Sequence, residues 1–160
     1  MPLFNPSTAG GAVSFRGCLA ILSSDQTAIN ATGAGYTIPF DGADVYDTDS
    51  IHDPVTNNTR LTVPQGATKV RITGNVQSSG HTSATNVISI IRLLKNGSFD
   101  YVGSPSHQGP GATGAPTGTL VSPVLEVVAG DYFELGFFVT SDTSITIEAE
   151  RTSFGMEIIA

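Results

Sequence analysis

The residues of this chain that could do chemistry are few and scattered. Three histidines, His52, His81 and His107, fall in polar stretches that read as loops. Nucleophilic catalysis needs a Ser or Cys held beside a base, and no Gly-x-Ser-x-Gly elbow occurs. A zinc centre needs convergent His or Cys ligands, and no motif spacing supplies them. A glycosidase needs two facing carboxylates. Glu126, Glu134, Glu148 and Glu150 lie in strand-like segments, where Glu normally faces solvent. The chain therefore reads as non-enzymatic, with no cofactor and no metal among its assigned ligands.

The densest ionisable run is 41–58, DGADVYDTDSIHDPVTNN, with Asp41, Asp44, Asp47, Asp49 and Asp53 around His52. Calcium favours such oxygen ligands. The EF-hand positions for Gly and the terminal Glu are not met, and Asp is also a common turn residue. Turn chemistry is the reading adopted; the spacing alone leaves a calcium ion in this loop open. Cys18, the single cysteine, sits in the apolar run CLAIL. It excludes an internal disulfide and reads as a small buried hydrophobe.

Seven basic residues stand against fourteen acidic ones in 160, for a formal net charge of -7. Nucleic-acid binding rests on Lys and Arg neutralising phosphates, and docking on anionic lipid needs the same residues. Both partner classes are set aside. No apolar run is long enough to cross a bilayer as a helix, and no charged-then-apolar leader opens the chain. Synthesis in a bacterial cytoplasm is the expectation.

What must position any site is a set of strands. From Arg60 to Gln77, RLTVPQGATKVRITGNVQ, apolar Val70, Ile72, Gly74 and Val76 alternate with polar Arg71, Thr73, Asn75 and Gln77. Period two buries one face and wets the other. Pro64 ends the preceding run and Gly66 suits a tight reversal. Further strands are predicted at 15–22, 36–40, 87–94, 99–103, 119–128, 132–140, 145–149 and 154–159. Asn96-Gly97 marks a two-residue hairpin. Residues 78–86 and 104–118 read as polar loops. Residues 1–14, rich in Pro, Gly, Ser and Thr, read as an N-terminal arm with Leu3 and Phe4 as its anchors, and 15–160 as one domain. Eight to ten short strands without a convincing helix predict an all-β antiparallel jelly-roll sandwich.

Three of these strands, 15–22, 87–94 and 132–139, carry apolar residues on both faces. A monomer would leave the second faces exposed, which soluble monomers rarely tolerate. The pattern predicts a cyclic homo-oligomer; the competing reading is a monomer that covers itself with 104–118.

Several pieces, in order, resemble the globular-head domain of complement component C1q and the related tumour necrosis factor fold. They are Phe40-Asp41 to Tyr46-Asp47, Leu61-Thr62-Val63-Pro64-Gln65-Gly66, Leu94-Lys95-Asn96-Gly97, Val127 through Leu135 with its Gly130-Asp131 turn, and Ser153 through Ile159. The resemblance implies a ten-stranded jelly roll that trimerises. Short chains of this look are similar to spike and fibre domains of bacteriophages and phage-like particles. That likeness implies a virion or particle appendage that attaches to a cell-surface polysaccharide or receptor. The contacts would be His81, Asp100, Tyr101, His107 and Gln108, in the loops at 78–86 and 104–118 and on the strand before the latter. The alternative is a structural adaptor, docked to a capsid or fibre protein through the 1–14 arm.

Overall fold

The computed structural model describes residues 14–81, 87–102, 106–108, 115–141 and 144–160, with 99–102 and 106–108 described as backbone. The arm, apart from Ser14, lies outside the described residues.

Two antiparallel sheets face each other, as alternation requires when each sheet must bury one face. The larger sheet contains eight strands. They are β1 (Gly17–Ile21), β2 (Gln26–Ile29), β4 (Tyr46–Asp47), β6 (Lys69–Ser79), β10 (Thr117–Val121), β11 (Leu125–Glu126), β13 (Ile145–Ile147) and β14 (Ser153–Ile158). Their order is β2-β13-β6-β14-β1-β4, with β10 and β11 on the other edge of β6. The smaller sheet holds β3 (Tyr36–Thr37), β5 (Arg60–Thr62), β7 (Val87–Lys95), β8 (Ser98–Val102), β9 (Ser106–Gln108) and β12 (Tyr132–Val139). Its order is β3-β12-β7-β8, with β5 on β12 and β9 on β7.

The organising strand β6 is the longest, and its Val70, Ile72, Gly74 and Val76 are buried as the alternation predicts. From β12, Phe133, Leu135, Phe137 and Val139 enter the core from the opposite layer. Phe40 and Phe154 stack in the same interior with ring centroids 5.5 Å apart. Cys18 is fully buried, and burial with nearby Asp44 and Asp47 pushes its thiol well above the ordinary range. The two turn readings hold in detail. Gly66 has φ +82°, and Asn96 and Gly97 have φ +52° and +75°, the left-handed pair that a two-residue hairpin needs. Lys95 then pairs with Ser98.

Among the described residues fourteen strand segments form where eight to ten were expected, because several are only two or three residues long. The expectation that 104–118 contains no strand is wrong. Ser106–Gln108 pairs with Val87–Ser89, and β10 begins at Thr117. Pro and Gly lower local strand propensity, but an open ladder edge on β7 supplies partners that propensity does not count. The loop expected over 41–58 likewise contains β4, which pairs with Cys18 and Leu19. The turn expected from Ser78 starts later, because β6 continues to Ser79. Among the described residues the single helical element is a 3-10 turn, Ala149–Arg151 (η1). No helix among the described residues is long and apolar enough to cross a membrane.

Candidate binding surfaces

Of the five residues predicted as contacts, four come together on one sheet. Tyr101 stands opposite Leu93 and His107 opposite Ile88, both across the same edge of β7. Asp100 and Gln108 are their chain neighbours. Five residues of β7 separate the two positions, about 17 Å at strand rise. The predicted contacts therefore form a strip along a sheet edge, with Asp100 and Tyr101 on the strand expected for them and His107 and Gln108 on a strand where a loop was expected. His81 is not part of it. It follows β6 in the other sheet, is 3% exposed, and its Nε2 lies 2.9 Å from Ser78 Oγ. A ring so enclosed is part of the wall, not an open contact.

The acidic run is built from its own hydrogen bonds. Asp47 Oδ1 accepts from the Asp49 and Ile51 amides, and Oδ2 from the His52 amide. Asp53 accepts from the Val55 and Thr56 amides, which holds its carboxyl below the usual range. Asp41 accepts from the Ser23 amide and is lowered for that reason. Asp49 takes Arg16 Nη2 at 2.6 Å, and this guanidinium lowers it further. Asp44 Oδ1 lies 2.7 Å from Nδ1 of the buried His52. Cys18 Sγ and one oxygen each of Asp44 and Asp47 fall within 4.8 Å of one another. Asp41, Asp47 and Asp53 thus accept from backbone amides, while Asp44 faces the His52 ring and Asp49 holds Arg16 and Thr48.

The outward faces of the two sheets differ in a way the sequence pattern did not separate. On the smaller sheet, Ile88, Ile90, Leu94, Tyr132 and Phe138 are half-buried, not open. Arg92 lies over the Phe138 ring at 4.3 Å and Arg60 over Tyr132 at 4.1 Å. Arg60 also reaches Glu134, which accepts from Thr59 Oγ1 at 2.9 Å. Long arginine stems cover apolar surface while their heads stay wet, so this face needs less from a neighbour than expected. Leu19 and Ile21 of β1 are half-buried as well.

Val55 and Val128 are exposed in loops; of the two sheets, the larger is the one whose outward row ends in exposed apolar groups. Across it, Tyr46, Leu19, Gly155, Thr73 and Val121 stand in one register row. At one end Tyr46 (39% exposed) meets Phe15 (53%) edge to face at 5.2 Å, with Val45 beside it. At the other end Val121 is 61% exposed and Val124 43%. Gly155 keeps the middle of the row low; a Cβ there would meet Thr73 Oγ1 at 2.8 Å. In β10 the pattern of burial alternates and leaves Val121 outward, and the cross-strand register puts it in line with Tyr46.

No family description matches the chain, and no curated protein does. Solved structures resemble it. Murine APRIL (at pH 8.0) superposes with TM-score 0.57 at 5% identity, over 91% of this chain and 100% of that one. The globular domain of zebrafish complement 1qA gives 0.52 at 10%, over 92% and 98%. Eiger TNF from S. frugiperda gives 0.52 at 12%, over 91% and 93%. At such identities the likeness shows the fold: a jelly roll of the TNF and C1q kind.

Proposed function

We propose that this jelly roll is a homotrimeric appendage on a bacteriophage virion or phage-like particle, a spike, fibre or decoration protein that holds a cell-surface receptor, and that the receptor is a polysaccharide. The observation that carries the trimer is the apolar row across the larger sheet. Its two ends are chemically different, an aromatic pair at one edge and two valines at the other. A head-to-tail contact that sets Val121 of each copy against the Phe15–Tyr46 edge of the next closes a ring where its rotation allows; a two-fold contact could pair the same patches twice, and the trimer is preferred here because the fold is shared with TNF and C1q domains. Tyr46 and Phe15 keep 39% and 53% of their surface exposed, so covering that remainder contributes about 1.5–3 kcal/mol each at about 25 cal/mol per Å². Three seams of this kind outweigh the ordering of a few side chains.

Receptor binding is placed on the β8–β9 edge, through Asp100, Tyr101, His107 and Gln108. A fold shared with a complement globular domain and a TNF protein supports a role in recognition; the polysaccharide is the finer part of the proposal. The test is binding of labelled protein to host cells with and without their surface polysaccharide, using the full chain and a chain lacking residues 1–14. Loss of binding on removing the polysaccharide supports the receptor reading. Absence of cell binding, with particle incorporation lost on deleting the arm, would replace it with the structural adaptor.

A further inference from the structure

A cleft of about 360 Å³ opens on the outward side of the larger sheet, away from the β8–β9 edge. Its floor is a second register row, Ile21, Ser153 and Asn75, one step along from the row described above. Ser23 and the η1 turn, with Glu150 and Arg151, line its sides. The Asn75 amide is fixed, since Nδ2 donates to the Arg151 carbonyl at 2.6 Å; Oδ1 is thereby left as an acceptor. Arg151 Nη1 donates to Gln77 Oε1 at 3.3 Å, which anchors the guanidinium at the rim. Glu150 is exposed and has no hydrogen-bond or ion-pair partner among the described residues.

We infer that this cleft binds a neutral polyhydroxylated ligand, one or two sugar rings in size. The inference rests on the receptor reading above and gives the polysaccharide a second, independent point of attachment. The volume lies within the range of small-molecule clefts. The lining offers acceptors (Glu150, Asn75 Oδ1), mixed donor–acceptor hydroxyls (Ser23, Ser153), one anchored cation and an apolar floor at Ile21. Vicinal hydroxyls donate in pairs to a carboxylate and accept from a guanidinium, and the C–H face of a ring suits Ile21. An anionic ligand would meet Glu150. A cationic one would gain only a single exposed ion pair, which contributes little.

The test titrates the full-length protein with methyl glycosides of glucose, galactose, mannose and N-acetylglucosamine, read by saturation-transfer NMR and calorimetry. At least one glycoside should bind, and Glu150→Ala and Asn75→Ala should each weaken it at least tenfold. Val55→Ala, at an exposed loop position outside both surfaces, should leave that affinity within twofold, and Glu150→Ala should keep the wild-type urea midpoint. Binding unaffected by Glu150→Ala and Asn75→Ala but lost in His107→Ala would overturn the cleft and leave the receptor reading standing. No glycoside binding by protein that still attaches to cells would overturn the cleft alone; no binding of either kind would remove both.

Discussion

Asn96 shows how much a single turn residue carries. Its left-handed φ opens the β7–β8 hairpin, its Nδ2 donates to Asp131 at 2.9 Å, and its Oδ1 accepts from the Tyr132 amide. Asn96→Ala removes both bonds and leaves alanine at positive φ. It should lower unfolding stability by about 1–3 kcal/mol, measured as a shift of the urea midpoint. Asp131 also sets a pH dependence. The Asn96 amide first, then Lys95 at 3.0 Å and the Val128 amide, hold its carboxyl below the usual range; Asp49 is lowered likewise by Arg16. A carboxyl with a depressed folded-state value stabilises fully above its unfolded value, about 3.9, and loses that contribution as pH falls through the folded value. The urea midpoint should therefore stay level from neutral pH down to about pH 5 and drop below about pH 4. Asn96→Ala should make that drop shallower. A midpoint that rises on acidification would contradict the assignment. Asn-Gly as a hairpin was legible because few other residues tolerate positive φ. The partners of the Asp residues were not, because spacing reports neither which amides a loop points inward nor that His52 folds back on Asp44.

At the scale of elements, β6 and β12 could be read directly, since strict alternation has one physical meaning when a face is buried. Their facing surfaces meet at Gly74, where a Cβ would come 2.7 Å from Leu135 Cδ1. Gly74→Val should cost about 1–3 kcal/mol through overpacking, and Phe154→Ala about 3–5 kcal/mol through the cavity beside Phe40. Chemical denaturation with an unchanged denaturant slope checks both; a cost under about 0.5 kcal/mol for Phe154→Ala, the range of a surface site, would place that ring outside the core. The short strands β4 and β9 could not be read. Their residues are ordinary loop types, and they become strands only because β1 and β7 present ladder edges within reach. The predicted contacts on β8 and β9 gathered on one edge for the same reason, whereas His81 lies just past the end of β6, in a polar stretch whose burial the sequence does not report.

For the molecule as a whole, the surplus of apolar side chains was legible and its location was not. Counting apolar residues on both faces pointed to β1, β7 and β12, but arginine stems on Phe138 and Tyr132 cover much of the smaller sheet, and the exposed groups lie at opposite edges of the larger one. The head-to-tail ring proposed above rests on that asymmetry. Val121→Asp and Tyr46→Asp should each break it by placing a charge in an apolar seam, and should leave folded single chains with intact strand signal in circular dichroism. The most direct measurement is the mass of the unmodified protein in solution at micromolar concentration, by sedimentation equilibrium. A mass three times that of the 16.5 kDa chain, falling to one chain in Val121→Asp, is the predicted result; a monodisperse 16.5 kDa species in the unmodified protein would contradict it.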